Sequence, residues 1–463
     1  MNYSTNPSTA SAVSGLSPRA RAKYGLYAIC MGFFLVLVDT AALNVAMASM
    51  QREFGGNIGQ LQWVVNSYTL VFASLMLACG AMGDRFGARL FYQMGLSLFT
   101  VMSLLCALSP GLGFLIGFRM LQGLGAALLL PASLSLLSHA FPNADEKAQA
   151  VAFWAAIVSL GFAAGPTLGG LLTHLFGWRS IFWLNVPLGL VTLQMVRVFV
   201  DEAKVENPRH IDWAGQAAAC LMLFCLTYGL IEAGSLGWTA PLILGAFALS
   251  ALFALAFWWF EKNSVSPVLP HYLFAHRIFS VCVSIGFILN FGMYGILFIV
   301  SIYLQNIRHL DPLMTGLMIL PLTGFPTLTT RAIGRYSGRR FIKPRLIIGH
   351  LILLLGAGFL ALALSIPGYG VVLLGLSLLG VGMGFVMPAM TAGVLTASEA
   401  ETSGLASGIL NSARQVGGTL GVALLGTWVS RLGEPGYLWS FVLAALLFGV
   451  MAWVTLWFIP EHI

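Results

Sequence analysis

Three ionisable side chains lie deep inside long apolar stretches of this chain: Asp39, Arg119 and Arg414. A charged group in hydrocarbon costs at least about 2.5–3.5 kcal/mol, so each one calls for a partner, a cavity or a task. Asp39 sits about 22 Å into the first apolar run at 1.5 Å per residue, and Arg119 roughly 10 Å into the fourth, which runs the other way. The two depths add to about 32 Å, close to the hydrocarbon thickness, which puts acid and base at one level. A carboxylate facing a guanidinium there offers a proton switch, because a proton or a bound substrate can compete with Arg119 for Asp39. A permanent ion pair that only fixes helix register uses the same residues. Gln122 is one turn from Arg119 on the same face and is expected to line a cavity. Arg414-Gln415, midway along another run, fits either contact with an anionic or carbonyl-bearing substrate or hydrogen bonding to backbone near Gly417-Gly418.

The elements that must position these residues follow from composition. Of 463 residues, 58% are hydrophobic, 8% are charged and 52 are glycine, with a mean hydropathy of +0.88. Soluble domains are about 45–50% apolar and about 25% charged, so this composition excludes one. Fourteen apolar segments fall near 24–47, 61–82, 91–109, 112–137, 149–175, 181–200, 214–232, 240–260, 278–304, 313–333, 346–366, 370–395, 404–429 and 438–459. Each is close to the length a membrane-spanning helix needs, and the alternating strands of an outer-membrane barrel are missing. The fold class is an all-α polytopic membrane protein with fourteen transmembrane helices. The run from Tyr24 is too long for a signal-peptide core and reads as a first span. The six cysteines lie in apolar runs without metal-type spacing and read as small hydrophobes.

Seventeen of the 23 Lys and Arg residues fall on the side of the N-terminus, which puts both termini in the cytoplasm. The net charge of +7 is thereby explained without nucleic acid. Gly83–Arg89 resembles Gly334–Arg340 at an offset of 251. Gly165–Gly169 resembles Gly417–Gly421 at 252, and Gly123–Ala132 resembles Gly380–Ala389 at 257. Three matches in order make spans 1–6 and 9–14 parallel repeats, an architecture of transporters with a site at the interface of the halves. The expected units are a tail (1–23), an N-terminal bundle (24–200), a linker with two extra helices (201–277) and a C-terminal bundle (278–460). Asn290 and Leu376 are the positional mates of Asp39 and Arg119, so the titratable pair occurs once. One proton suffices energetically: about 2.3 kcal/mol per charge per 100 mV sustains roughly a fifty-fold gradient. Asn290 joins Gln122, Arg414 and Gln415 as a candidate cavity residue.

Two Gly-rich stretches stand out, the first on a helix that can rock. Gly161, Gly165, Pro166, Gly169 and Gly170 allow close helix approach, and Pro166 removes a backbone hydrogen bond and bends the helix; plain tight packing uses the same residues. The segment with Gly80, Gly83, Asp84, Arg85, Gly87 and Arg89 reads as a short loop with Asp84 at a helix end.

Taken together these segments resemble the major facilitator superfamily, in its fourteen-span drug/proton antiporter branch. GAMGDRFGARL resembles the gating signature between helices 2 and 3. FRMLQGLGAA (118–127) resembles the proton-relay signature of helix 4, and GFAAGPTLGG (161–170) the antiporter signature of helix 5. WRSIFWLNVPLG (178–189), Asp39 with Asn44-Val45-Ala46, and Trp63 with Tyr68 fit the same branch, over residues 24 to 460. Met82, Ala88, Ala41, Ala48 and Arg335 depart from its usual residues. The resemblance implies a monomeric, proton-driven exporter of hydrophobic or amphipathic compounds in the bacterial inner membrane. Its branch is associated with antibiotic resistance. It would need no cofactor or metal. A permease for one specific metabolite is the alternative. An ATP-driven pump is unsupported, because none of the five lysines follows a glycine, and neither HExxH nor a serine elbow near a buried histidine occurs. With one buried acid already facing an arginine, dicationic substrates are disfavoured against neutral, monocationic or anionic ones.

Overall fold

In hydrocarbon every backbone polar group must be satisfied inside the protein, and an α-helix does this within one segment. The computed structural model describes residues 17–141, 143–202, 212–264, 267–334, 338–399 and 402–460. Among them are fourteen long helices and no strand. They are α1 (Pro18–Phe54), α2 (Ile58–Phe86), α3 (Ala88–Ala107), α4 (Leu112–Ala140), α5 (Ala144–Phe176), α6 (Arg179–Phe199) and α7 (Trp213–Leu236). Then follow α8 (Pro241–Asn263), α9 (Arg277–Ile302), α10 (Pro312–Ala332), α11 (Ile342–Ala363), α12 (Gly370–Thr396), α13 (Ser403–Leu432) and α14 (Glu434–Phe458). A π-helical turn, Tyr303–Ile307, extends α9.

Thirteen of these are long and apolar enough to cross a membrane. The other is α13, which carries Ser407, Asn411, Ser412, Arg414, Gln415 and Thr419. It packs against α2, α7, α9 and α14, so protein rather than lipid surrounds much of it. Helix α1 begins at Pro18, six residues before the expected span, because Ser17 caps it by accepting from the Ala20 N–H at 3.3 Å. Arg21 on this added turn pairs with Asp201 at 2.8 Å.

The repeat is visible in how the glycines pack. Gly165 and Gly169 lie against α1, where a Cβ on Gly169 would sit 2.6 Å from the Cα of Ala42. Their mates Gly417 and Gly421 lie against the Phe287 and Phe291 carbonyls of α9 in the same way. Gly123 of α4 meets the Tyr68 carbonyl of α2, and its mate Gly380 of α12 meets the Pro321 carbonyl of α10. Each half therefore joins its first helix to its fifth and its second to its fourth through small residues.

The halves meet along two seams related by the same repeat, α2 with α13 and α10 with α5. Across the first, Gln62 donates to the carbonyls of Val422 at 2.8 Å and Ala423 at 2.7 Å. Across the second, Thr323 donates to the Ala163 carbonyl at 3.1 Å, and Gly316 abuts the Pro166 carbonyl. The inserted helix α7 flanks the first seam and touches both halves: Glu232 accepts from the Trp63 indole at 2.9 Å, while the Leu230 carbonyl accepts from Thr427 at 2.7 Å.

The connection between α2 and α3 corrects the expectation of a loop at Gly83–Arg89. Helix α2 continues through Phe86 and α3 starts at Ala88, leaving Gly87 as the whole turn at φ +114°. Nothing in Gly83-Asp84-Arg85-Phe86 stops a helix; only Gly87 must take a backbone conformation that other residues rarely adopt. Its second copy is described only in part, since residues 335–337 lie outside the described residues.

Candidate functional site

Asp39 of α1 and Arg119 of α4 are 0% and 1% exposed, and Arg119 Nη1 donates to Asp39 Oδ2 at 2.5 Å. The depths that put them at one level thus correspond to direct contact. Four helices build the surroundings. Asn185 of α6 donates to Asp39 Oδ1 at 2.9 Å, and Gln122 of α4 donates to the same oxygen at 3.3 Å. Gln122 also donates to Ser103 of α3 at 2.8 Å and accepts from Arg119 Nη1 at 2.8 Å. Arg119 Nε reaches the Val64 carbonyl of α2 at 3.3 Å. The guanidinium lies 4.1 Å from the centre of the Tyr68 ring and 5.9 Å from that of Phe182. Hydrogen bonds, an opposite charge and an aromatic face together offset the desolvation of both ions. Chemically, a proton added to Asp39 would remove the negative charge that holds the guanidinium and free it to change partners.

Gln122 belongs to this cage and not to a cavity wall as expected, being 0% exposed and bonded to its neighbours. Asn290 is likewise turned inward and donates to the Gly286 carbonyl of its own helix at 2.9 Å. Asn185 and Ser103 complete the cage without having been singled out by sequence. Asn185 falls within Trp178–Gly189, the one sequence signal that pointed near it, whereas Ser103 had none.

The remaining candidates lie elsewhere. Gly80 faces Pro131 of α4, with a would-be Cβ 3.2 Å from the proline ring, and Gly83 is buried beside Phe91. Asp84 is in the last turn of α2, and Arg85 lies 5.5 Å from the Phe86 ring centre. The Arg89 backbone N–H donates to Glu202 at 2.9 Å and its guanidinium to the Arg197 carbonyl at 2.7 Å, which ties this turn to the end of α6. Gly161, Gly165 and Gly169 face α1, while Gly170 faces Pro312 and Leu313 of α10, so α5 is wedged between α1 of its own half and α10 of the other. Gln415 lies two turns beyond Gly408, which meets Leu77 of α2, and so lies on the seam side of α13. Arg414 lies about 100° further round, over Gly286 of α9, and donates to Asn411 at 3.2 Å.

The sequence matches the family model of the Major Facilitator Superfamily from residue 29 to residue 422. The chain belongs to that superfamily. Among its relatives is the multidrug resistance protein Stp of Mycobacterium tuberculosis, 36% identical over 414 residues, 89% of this chain and 77% of that protein. The methylenomycin A resistance protein of Streptomyces coelicolor is 35% identical over 439 residues, 92% of this chain and 90% of the relative. A solved peptide transporter in complex with sulfate has the same fold, with a TM-score of 0.71 at 16% identity, covering 96% of this chain and 98% of that one. This major facilitator protein is therefore an integral membrane transporter with multidrug-resistance and antibiotic-resistance relatives.

Proposed function

We propose that this transporter exports hydrophobic or amphipathic small molecules in exchange for protons across the bacterial inner membrane, with both termini in the cytoplasm. The observation that carries the reading is the caged Asp39. It is a buried carboxylate at mid-membrane level, within reach of an arginine and two amide donors on two other helices, α4 and α6. Protonation there changes the net charge of the cage by one and alters bonds to α4 and α6 together, which links a proton to helix positions. The seams through α5 and α2 supply the surfaces along which the halves rock. The names of the relatives support export of toxic compounds, and the excess of Lys and Arg in the loops on the side of the termini supports the orientation.

The test is proton release from energised inside-out vesicles on adding candidate compounds, with the natural chain beside Asp39→Asn. Compound-dependent collapse of the pH gradient, lost in the variant, is expected. Movement of labelled compound without any collapse would overturn proton coupling and leave the Asp39–Arg119 pair as a structural clasp.

A further inference from the structure

We propose that Arg414 is the anchor of an anion-binding subsite between the two halves, so that the preferred substrates are amphipathic aromatic monoanions. The proposal rests on the exporter reading above and gives its substrate site a charge preference. The charges at membrane level are divided unequally. Asp39 and Arg119 satisfy each other inside the N-terminal half and present no net charge to the space between the halves. Arg414 is only partly buried, and among the described residues it has one side-chain hydrogen bond, to the neutral Asn411, and no ion pair. Its Nε is enclosed and without a partner. A guanidinium left this way at mid-helix is costly unless something else supplies acceptors.

Its position tells where that something would lie. Gly417 and Gly421 mark the side of α13 that faces α9, and Gly408 and Gly426 the side that faces α2. Arg414, Asn411 and Gly418 fall between these two sides by helical periodicity, toward the wedge between the halves. Gly418 lies against the Tyr294 ring, and that ring sits 6.0 Å from Phe162 of α5 across the interface. A cation beside an aromatic pair that spans both halves fits a flat apolar body bearing one carboxylate or sulfonate. The alternative reading of Arg414, as a donor to backbone near Gly417-Gly418, finds no such bond among the described residues. Exchange of one proton for a monoanion also moves two charges per cycle, so a negative interior drives it harder than export of a neutral compound.

Three dyes with one fluorophore test this on the full chain in nanodiscs and vesicles: dansyl sulfonate (anion), dansyl amide (neutral) and dansylaminoethyl-trimethylammonium (cation). The natural protein should bind the anion at least tenfold more tightly than the cation. Arg414→Gln should abolish that difference while leaving the amide within about twofold, and Arg414→Lys should keep most of it. Equal binding of all three dyes by the natural protein, or preference for the cation, overturns the subsite without reference to any variant. A uniform loss for all dyes in a folded Arg414→Gln protein also overturns it, showing a structural role. Proton release, scored with each dye, separates this from coupling. Anion preference without proton movement would defeat the exporter reading alone, whereas proton movement driven best by the cation would defeat the subsite alone.

Discussion

At the scale of single residues, the proton role proposed for the cage around Asp39 can be separated from its role in stability. Its two ions are nearly invisible to solvent, so removing one leaves the other buried and uncompensated. Arg119→Met should therefore destabilise the protein by about 3–5 kcal/mol, as a buried pair broken on one side does. Pairing it with Asp39→Leu should recover most of that loss, because apolar side chains of similar size often replace a buried ion pair at little or no cost. Thermal unfolding in detergent reads the stability, and gradient-driven transport in vesicles reads the function. A double variant that is stable and inactive marks the pair as machinery. One that is stable and still driven by the gradient would reduce the pair to a clasp. The charged members of this cage were legible in the sequence because ions in hydrocarbon stand out. Asn185 and Ser103 were not, since uncharged polar residues are common near helix ends and within bundles, and only the packing of α3 and α6 against α1 and α4 brings them to the carboxylate. The same limit misplaced Gln122, whose helical face was right but whose neighbours lie within one half.

At the scale of elements, the glycines of α5 act through what they allow to approach. A side chain at Gly169 would collide with the Cα and carbonyl of Ala42, which are backbone and cannot turn aside. Gly117 of α4 has open space where its Cβ would be. Gly169→Val should separate α5 from α1, cost about 1–3 kcal/mol by overpacking and stop transport. Gly117→Ala should be neutral or stabilise by up to about 1 kcal/mol, because alanine orders more cheaply in a helix. Unfolding and vesicle transport measured on both variants check this, and unimpaired transport by Gly169→Val would remove the need for close packing of α5. The spans, the repeat and these small-residue faces were legible because membrane helices need long apolar runs and close packing needs glycine at regular spacing. The α2–α3 turn was less so. A Gly-rich polar stretch looks like a loop, yet helical geometry persists through Phe86 until Gly87 takes a positive φ.

At the scale of the molecule, alternation between two states requires that bonds joining the halves on one face be temporary. Several described bonds gather at the face opposite the termini. Gln305 donates to the Val45 carbonyl at 2.8 Å, Asn306 donates to Gln51 at 3.0 Å, and His174 approaches Asp311 at 3.9 Å. Each is an ordinary hydrogen bond or an exposed, weak ion pair, worth about 0.5–1.5 kcal/mol or less in net terms. Together they can hold a face shut, and each is weak enough to open again within a transport cycle. If opening is obligatory, a covalent bridge across that face must stop the cycle while a bridge within one half must not. In a cysteine-free background, Gln51→Cys with Asn306→Cys spans the halves, and Glu53→Cys with Arg179→Cys replaces an ion pair inside the N-terminal half. A short bis-methanethiosulfonate should abolish substrate flux in the first pair, dithiothreitol should restore it, and the second pair should keep its flux throughout. Full flux in a protein shown to be bridged between residues 51 and 306 would mean that the halves need not part on this face, and rocking along the α2–α13 and α5–α10 seams would have to be abandoned.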